Sequence, residues 1–291
     1  MRTLACIITC HNRRDTTVRC LNALTAAKVP AGCSLQIYLV DDGSSDGTGD
    51  AVRVAYPQAR VISGNGKLYW NGGMRVGFAA AMADGHDDYL WLNDDTVVDP
   101  DALLHVWACR QALAADAACI VVGATRDAQT SGLTYGGLYN SGKPWAHFYE
   151  KLPVSDKPQR CLAFNGNFVL ISGVAAQRLG NLESGFIHAL GDWDYGLRAH
   201  AAGVPCWVAP GFVGTCSHNA PVAFRPEAAR SISARLRHVC DPKRYPPRVW
   251  LTYVRRHYPL LWPVYFARPY VGAAREALRA KLRAPGAGGA K

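Results

Sequence analysis

The sequence lacks several features that would place it in a specialised class. Its 291 residues contain no apolar run of about 18 residues, the length that a membrane-spanning helix needs. The apolar run inside the N-terminal MRTLACIITCHNRRD is too short for a secretory signal peptide. The ten cysteines form no Cys-x-x-Cys pair and no His-spaced cluster, so neither a zinc site nor a disulfide framework is indicated. We therefore expect reduced, mostly buried thiols in a cytoplasmic protein without a transmembrane helix.

Acidic residues are scarce in the C-terminal quarter. From residue 221 to 291 there are 15 Lys and Arg against 3 Asp and Glu, whereas residues 1–220 have 17 against 19. Aromatic residues are interleaved with these basic residues, and they include Trp250, Tyr253, Tyr258, Trp262, Tyr265, Phe266 and Tyr270. This mixture suits an anionic membrane surface or a nucleic acid, and the alternative is a structural helical region with a solvated basic face. We expect peripheral docking on the inner face of a membrane and no nucleic-acid partner.

The first half of the chain alternates between strands and helices. Apolar runs predict strands at 3–9, 35–40, 60–63 and 89–92, and helical spacing predicts helices at 15–27, 50–55, 72–85 and 99–115. Gly85 is the expected stop of the third helix, and Asp99 the expected N-cap of the fourth. This alternation is typical of an α/β fold with a mostly parallel, Rossmann-like central sheet flanked by helices. Shorter, less regular strands and helices follow. We predict a domain over 1–220 with halves at 1–125 and 126–220, a basic helical region over 221–284, and a disordered tail over 285–291.

Polar residues follow each of the four predicted strands. The four clusters span 9–12, 41–44, 64–67 and 93–95. Ligands of parallel sheets bind at the carboxyl ends of the strands, so we expect these clusters to converge on one rim. Asp94 and Asp95, in WLNDDTVVDP, are adjacent like charges at the end of a buried strand. They either face water in a turn or hold a cation such as Mg²⁺ or Mn²⁺.

Candidate catalytic and metal-binding residues also occur in the second half. Asp192 opens a predicted helix in ALGDWDYGLRAHAAG, where it is either an N-cap or a general base. Asp194 is the rival, and we expect it to point away from Asp192, as a cap or toward Arg198 one turn later. His218, in GTCSHNA, is either a structural histidine or a metal ligand.

Four segments, in order, resemble the family 2 inverting glycosyltransferases with the GT-A fold. They are IITCHNR after the first strand, VDDGSSDGT after the second, LNDDTVVDPDAL as a DxD-like element, and GDWDYGLRAHAAG as an ED-x-D-like element. The resemblance covers about residues 3 to 219. The stretch GNGKLYWNGG at 64–73 also resembles a subgroup, including rhamnosyltransferases, that acts on bacterial surface polysaccharides. The GT-A fold implied by this resemblance has a nucleotide-sugar-binding half and a smaller acceptor-side half.

The resemblance implies that a sugar is transferred with inversion from a UDP- or dTDP-linked donor to a hydroxyl of a glycan or lipid-linked acceptor. It assigns nucleotide-sugar binding to residues on the expected rim: Thr9, His11, Asp42, Asn65, Arg75 and Asp94. Among these, Thr9 and His11 would contact the base, with His11 in the place of a stacking aromatic. Asp42 would bind the base ring, Arg75 the diphosphate and Asp94 the ribose.

The same resemblance assigns the metal and the base. Asp95 would bind Mn²⁺ or Mg²⁺, with His218 completing the site, because a divalent cation offsets the charge of a diphosphate leaving group. Asp192 would deprotonate the acceptor hydroxyl, with Asp194 as the rival. Trp193 is either an acceptor-sugar platform or a core residue. The sequence departs from the family at two positions, with Asn93 where an acid is frequent and Gly191 where Glu is common.

Two other functions fit parts of the sequence. A nucleotide-sugar-binding protein without catalytic activity is one, but Asp95 and Asp192 are both present, which argues against it. A nucleotidyltransferase would need a Gly-rich, basic phosphate loop after the first strand, and TCHNRRD has no glycine. A P-loop is also excluded, since GSSDGTGD lacks the G-x-x-x-x-G-K-[ST] spacing.

Overall fold

The computed structural model describes residues 1–114, 117–141, 149–218 and 231–282. The chain divides into two units, Met1–His218 and Asn219–Lys291, and each is described by itself. The tail expected over 285–291 lies outside the described residues. So does the start of the region expected over 221–284.

The first unit contains alternating strands and helices, followed by shorter strands. Its strands among the described residues are β1 (Arg2–Cys10), β2 (Cys33–Asp41), β3 (Arg60–Ser63), β4 (Asp88–Leu92), β5 (Val97–Val98), β6 (Ile120–Arg126), β7 (Leu133–Tyr135), β8 (Gly137–Asn140), β9 (Tyr149–Lys151), β10 (Gln159–Cys161), β11 (Ala163–Phe164), β12 (Phe168–Ser172) and β13 (Cys206–Thr215). Its helices are α1 (Arg14–Ala26), α2 (Thr48–Ala55), α3 (Tyr69–Asp84), α4 (Ala102–Ala114), α5 (Gly173–Leu179) and α6 (Gly191–Ala201).

A large mixed sheet organises this unit. Its strand order is β10-β13-β6-β12-β4-β1-β2-β3, with β5 paired to β13 and β7 to β6. The strands β4, β1, β2 and β3 are parallel, as the alternation predicts. Beyond them the sheet is mixed, because β12 runs antiparallel between β4 and β6 whereas β13 pairs with β6 in parallel. The α/β fold class is confirmed, and β8, β9 and β11 form a separate small sheet in the second half.

Helices cover both faces of the sheet, and each face has its own apolar core. Side chains alternate along a strand, so Ile8 of β1 packs on one face and Ile7 on the other. The first face packs against α1, α2 and α4. The second packs against α3, α5 and α6. Because both faces are covered, the central strands read as continuous apolar runs rather than alternating ones.

Glycines let α3 lie unusually close to the sheet. A Cβ atom built on Gly73 would lie 2.7 Å from Cβ of Thr9, and one on Gly77 would lie 2.8 Å from Cγ2 of Ile7. Both distances are shorter than real carbon contacts, so only glycine fits at these positions. The helix ends at Gly85 with φ +75°, the C-terminal stop that the sequence predicts. The result is that the start of α3 lies directly over the end of β1.

The expected N-cap of the fourth helix is wrong. Asp99 was expected to cap it, but α4 begins at Ala102. Both carboxylate oxygens of Asp99 instead accept hydrogen bonds from the guanidinium of Arg126, at 2.8 and 3.0 Å. The ion pair engages the oxygens that a cap would need.

The second unit is helical over its described residues. It contains α7 (Ile232–Val239), α8 (Pro247–His257) and α9 (Trp262–Leu282). Trp250 of α8 is buried, and its indole N–H donates to the backbone oxygen of Tyr265 at 3.1 Å. Tyr253 and Tyr265 are buried in the same core, so several of the aromatic residues pack inside this unit. Among the described residues, no helix is both long enough and apolar enough to span a bilayer.

Candidate active site

The loops after β1 and β2 are joined at the rim of the sheet. The backbone N–H of Asn12 donates to Oγ of Ser44 at 2.9 Å, and the N–H of Ser45 donates to Oδ1 of Asn12 at 2.7 Å. Asn12 adopts a positive φ of +50°, a conformation that asparagine tolerates better than most residues. The first two polar clusters therefore form one continuous surface.

His11 is exposed on this surface with a fixed ring orientation. Its Nδ1 donates to the backbone oxygen of Asp42 at 2.6 Å, because a carbonyl oxygen can only accept. Its Nε2 then accepts from Nδ2 of Asn12 at 3.1 Å. The two bonds to the ring nitrogens hold the imidazole in one orientation, and the side chain remains exposed.

Asp42 holds the third cluster against the rim. Its buried carboxylate accepts backbone N–H groups of Gly66, Leu68 and Tyr69 at 2.8, 2.8 and 3.0 Å. Asn65 lies in the same loop, and its side-chain oxygen accepts the N–H of Lys67 at 3.0 Å. Three of the four lone pairs of the Asp42 carboxylate are engaged. One remains for the base-ring contact that the resemblance assigns to this residue.

Arg13 bridges the two adjacent carboxylates after β4. Its Nη1 lies 3.0 Å from Oδ1 of Asp94 and its Nη2 lies 3.0 Å from Oδ2 of Asp95. Asp94 is buried, and burial raises its pKa to about 7 even though Arg13 acts to lower it. Asp95 is partly exposed. The guanidinium thus supplies a positive charge at the place where a cation was expected.

The other oxygen of Asp95 faces Cys216 rather than His218. The thiol of Cys216 donates to Oδ1 of Asp95 at 3.3 Å. His218 is exposed, its Nε2 lies 3.1 Å from Nζ of Lys151, and its ring lies edge-on to Tyr135. The described part of the chain contains no cluster of three or more His, Cys, Asp or Glu side chains arranged to hold a metal ion. The structure therefore does not bring His218 to Asp95.

Asp192 and Asp194 differ sharply, although they lie two residues apart on α6. Asp192 is partly exposed, and its two oxygens accept the backbone N–H groups of Gly166 at 3.0 Å and Trp193 at 2.9 Å. Burial by its surroundings raises the pKa of Asp192 to about 6. Asp194 is fully buried and paired with Nε of Arg198 at 2.9 Å, one turn later, as the sequence predicts. Of the two, only Asp192 has surface that solvent reaches.

The space available before Asp192 admits only a glycine. A Cβ on Gly191 would lie 2.7 Å from Cγ of Asn71 and overlap its side-chain oxygen. Asn71 is itself held by bonds from its Nδ2 to the backbone oxygens of Glu183 and Phe186. Leu190, which precedes the helix, has a positive φ of +73°, a strained conformation for leucine. The turn into Asp192 is thus imposed by its surroundings.

The remaining sequence candidates are spread around this centre. Thr9 is buried against Gly73 at the end of β1. Trp193 is partly exposed, and its ring lies edge-on to Tyr149 with 5.4 Å between centroids. Arg75 lies in α3 and is partly exposed, and its backbone oxygen accepts Nδ2 of Asn181 at 2.9 Å.

Sequence reasoning missed three residues at the site. Arg13 stands in TCHNRRD, where a basic residue directly after a strand end was the available signal. Trp70 donates its indole N–H to Oδ1 of Asn93 at 2.7 Å, and its signal was its place in GNGKLYWNGG. Cys216 gave no signal, since its contact with Asp95 joins residues 121 positions apart.

Comparison with solved structures identifies the fold. A mannosyltransferase, PcManGT, from Pyrobaculum calidifontis in complex with GDP-Man and Mn²⁺ is 16% identical over 99% of this chain and 76% of its own, with a TM-score of 0.54. S. aureus TarS 1-349 in complex with UDP-GlcNAc is 10% identical over 96% and 81%, with a TM-score of 0.57. GalNAc-T7 with UDP, GalNAc and Mn²⁺ is 14% identical over 93% and 55%, with a TM-score of 0.60. The architecture is that of a GT-A glycosyltransferase.

The match in sequence identifies a family, whereas the likeness in structure identifies only the fold. The family model described as glycosyl transferase family 2 matches residues 5–179, more than half of the chain. The chain therefore belongs to glycosyl transferase family 2, as its motifs indicate. A search of curated protein sequences found no match to it.

Proposed function

We propose that this glycosyltransferase transfers a sugar with inversion, from a UDP- or dTDP-linked donor to a hydroxyl of a glycan or lipid-linked acceptor. The observation that carries the proposal is the contrast on α6. Asp192 is accessible and is held by two backbone N–H groups, while Asp194 is buried and neutralised by Arg198. A direct displacement needs one base on the acceptor side, and Asp192 has the access and the pKa of about 6 that suit this role.

The donor would bind along the rim that the first three loops form. His11 offers an oriented ring face to the base, and Asp42 has one free lone pair for it, beside Thr9. Asp94 would meet the ribose. Asn65 and Arg75 are proposed toward the diphosphate. The similar structures hold GDP-Man, UDP-GlcNAc and UDP, which supports a nucleotide-sugar donor without selecting the nucleotide.

A divalent cation fits the donor side. Mg²⁺ and Mn²⁺ commonly take one or two protein carboxylates and complete their shell with phosphate oxygens and water. The partly exposed Asp95 carboxylate is such a ligand, and the Arg13 guanidinium beside it is a stand-in positive charge. When bound, the metal would offset the charge of the departing diphosphate. Asp95 would hold it, and the assignment of His218 would require that residue to leave Lys151.

The second unit is proposed to dock on an anionic membrane surface. Leu260 is 92% exposed between α8 and α9, next to exposed Leu261 and close to exposed Arg255. Exposed apolar residues beside basic ones are typical of segments that lie at a lipid interface. The buried Trp250 and Tyr253 serve packing instead, so docking would depend on the residues between the two helices.

The test of the transferase begins with a thermal-shift screen of nucleotide-sugars with Mn²⁺. The best donor is then incubated with acceptor glycans, and the anomeric proton of the product is read by NMR. We expect an inverted anomer and loss of turnover in EDTA. A retained anomer overturns the inverting mechanism, and donor binding without transfer favours a binding protein. Release of pyrophosphate from a nucleoside triphosphate and a sugar 1-phosphate favours a nucleotidyltransferase.

Docking is tested by sedimentation with vesicles that contain anionic lipid. We expect Leu260→Glu to lower the bound fraction several-fold, because it removes an apolar contact and adds a repelling charge. Val54 is a matched control, since it is 84% exposed in the first unit, and Val54→Glu should bind like the wild type. Equal binding of the two variants contradicts docking through this segment.

A further inference from the structure

Trp70 is fixed from the donor side of the site. Its indole N–H donates to Oδ1 of Asn93 at 2.7 Å, and its ring lies edge-on to Trp91 with 6.3 Å between centroids. A partly buried indole needs an acceptor for its N–H, and Asn93 provides it immediately before Asp94. The hydrogen bond and the ring contact together fix the orientation of the ring.

The benzene part of the same ring, at Cζ2 and Cη2, lies against Gly166. A Cβ built on Gly166 would lie 2.6 Å from Cη2 of Trp70, so no other residue fits without moving the indole. The backbone N–H of Gly166 donates to Oδ2 of Asp192 at 3.0 Å. Trp70 therefore packs on the residue that supplies one of the two donors orienting the Asp192 carboxylate.

The loop that carries Gly166 is held on its other side as well. Asn167 follows Gly166, and its backbone oxygen accepts the N–H of Asn93 at 3.1 Å. Asn93 thus binds Trp70 through its side chain and the loop through its backbone. The contacts form a closed circuit from Asn93 through Trp70 and Gly166 to Asn167 and back.

We propose that Trp70 is a positioning residue that, held by Asn93, sets the orientation of the Asp192 carboxylate through Gly166. The proposal rests on the proposed function, because it takes Asp192 as the base. It also explains Asn93, since an amide oxygen accepts the indole N–H without placing a third negative charge beside Asp94 and Asp95. The donor side and the acceptor side of the site are linked by this one side chain.

If Trp70 positions Asp192, its loss should lower turnover without weakening donor binding. Trp70 touches the loop behind the base, so its loss misplaces Asp192 while the rim around His11 and Asp42 is unchanged. Misplacement of a reacting group by about 1 Å costs up to about a hundredfold in rate. A backbone N–H bond also lowers the pKa of a carboxylate that accepts it, so weakening the Gly166 contact raises the pKa of Asp192.

The experiment compares Trp70→Phe and Asn93→Leu with Trp207→Phe. Trp207 is a remote, partly exposed tryptophan of β13 that lies under Arg160, and it controls for the loss of an indole. Carboxyl ¹³C NMR titration, with Asp192→Asn for assignment, gives the pKa of Asp192 without any substrate. We expect Trp70→Phe and Asn93→Leu to raise it by about half a unit or more, and Trp207→Phe to leave it unchanged.

Turnover and binding complete the test. With the donor found by the screen, Trp70→Phe should lower kcat about tenfold or more and change the donor Kd less than about twofold. Asn93→Asp keeps an acceptor for the indole and should lose less kcat than Asn93→Leu. Melting curves confirm that each variant is folded.

The two proposals fail in different ways. If Trp70→Phe and Asn93→Leu match Trp207→Phe in both the titration and kcat, the positioning role is overturned. If Asp192→Asn keeps its turnover, the proposed base is overturned, whatever the titration shows.

Discussion

The donor-side rim and the acceptor-side loop hold their carboxylates in different ways. On the rim, Asp94 and Asp95 share the guanidinium of Arg13, and Asp42 accepts three backbone N–H groups. On the acceptor side, Asp192 has two backbone N–H groups and no cationic partner among the residues described. The rim carboxylates are thus engaged in structure and charge balance, whereas Asp192 keeps free lone pairs at an accessible position.

This difference follows from what each region is proposed to handle. A diphosphate brings negative charge to the rim, and a rim with two unpaired carboxylates would repel it. A general base must instead accept a proton, which a guanidinium held against it would oppose. The buried Asp194, paired with Arg198, shows the contrast within one helix, since that carboxylate is neutralised and serves the fold.

Substitution of Asp192 is expected to have the largest effect. Asp192→Asn removes the proton acceptor, so kcat should fall about 10³-fold, within the range that general-base catalysis contributes. The donor Kd should stay nearly unchanged, because the rim residues are intact. Steady-state kinetics and calorimetry of donor binding provide the two readouts.

The control separates chemistry from folding. Asp194→Asn breaks an ion pair whose carboxylate is fully buried. Breaking a fully buried pair typically costs about 3–5 kcal/mol of stability, so the main effect should be a lower melting temperature. Asp101, paired with Lys28 at the surface, offers a neutral comparison as Asp101→Asn. A larger loss of kcat in folded Asp194→Asn than in Asp192→Asn would exchange the roles of the two residues.

Substitution of Asp42 tests the rim in the opposite direction. Asp42→Asn replaces an acceptor oxygen with a donor against the backbone N–H groups of residues 66–69, and each unsatisfied group costs about 1–3 kcal/mol. We expect donor affinity to fall at least about tenfold, with a smaller change in kcat. Calorimetry with the donor measures the affinity. A loss of kcat without a change in donor Kd would contradict the assignment of Asp42 to donor binding.

The pH dependence of turnover tests whether Asp192, which has no cationic partner in the described part of the chain, must be ionised for catalysis. The base must be ionised, and its pKa is about 6, so kcat should fall about tenfold per pH unit below that value. The pKa in the folded protein lies above its ordinary value of 3.8, so ionisation of Asp192 costs stability as pH rises from about 4 to 6. Relative to the wild type, Asp192→Asn should therefore gain melting temperature as pH rises from about 4 to 6. A kcat that does not change between pH 5 and 7 would contradict the role of Asp192 as a base with a pKa of about 6.

Local pattern predicted much of the molecule, and long-range contacts supplied the rest. The four strand ends and the pairing of Asp194 with Arg198 follow from periodicity and helical spacing. The insertion of β12 between β4 and β6 could not be predicted, because the order of strands along the chain does not encode it. Nor could the cause of Gly191, which depends on Asn71, 120 positions earlier. Such contacts appear only when distant segments pack together.

Removal of the Arg13 charge is expected to have the smallest effect, and it tests how the rim carboxylates are balanced. Arg13 lies between Asp94 and Asp95 where a cation would add its own positive charge, so it should compete with the metal when no donor is bound. Arg13→Gln should tighten Mn²⁺ binding about three- to tenfold, the equivalent of about 1 kcal/mol for a partly exposed pair. The metal-free variant should also be less stable, because two adjacent carboxylates lose their counter-charge.

Electron paramagnetic resonance of free Mn²⁺ measures this affinity in the absence of nucleotide. Arg14→Gln is the matched control, since Arg14 is the next residue, is exposed, and has no contact with either carboxylate among the residues described. Unchanged or weaker Mn²⁺ binding in Arg13→Gln would mean that the guanidinium does not occupy the cation's place. In that case Arg13 would only hold Asp94 and Asp95 in place. The negative charge of the two rim carboxylates would then be balanced only when the metal and the donor bind, much as Asp192 on the acceptor side has no cationic partner among the side chains that the structure describes.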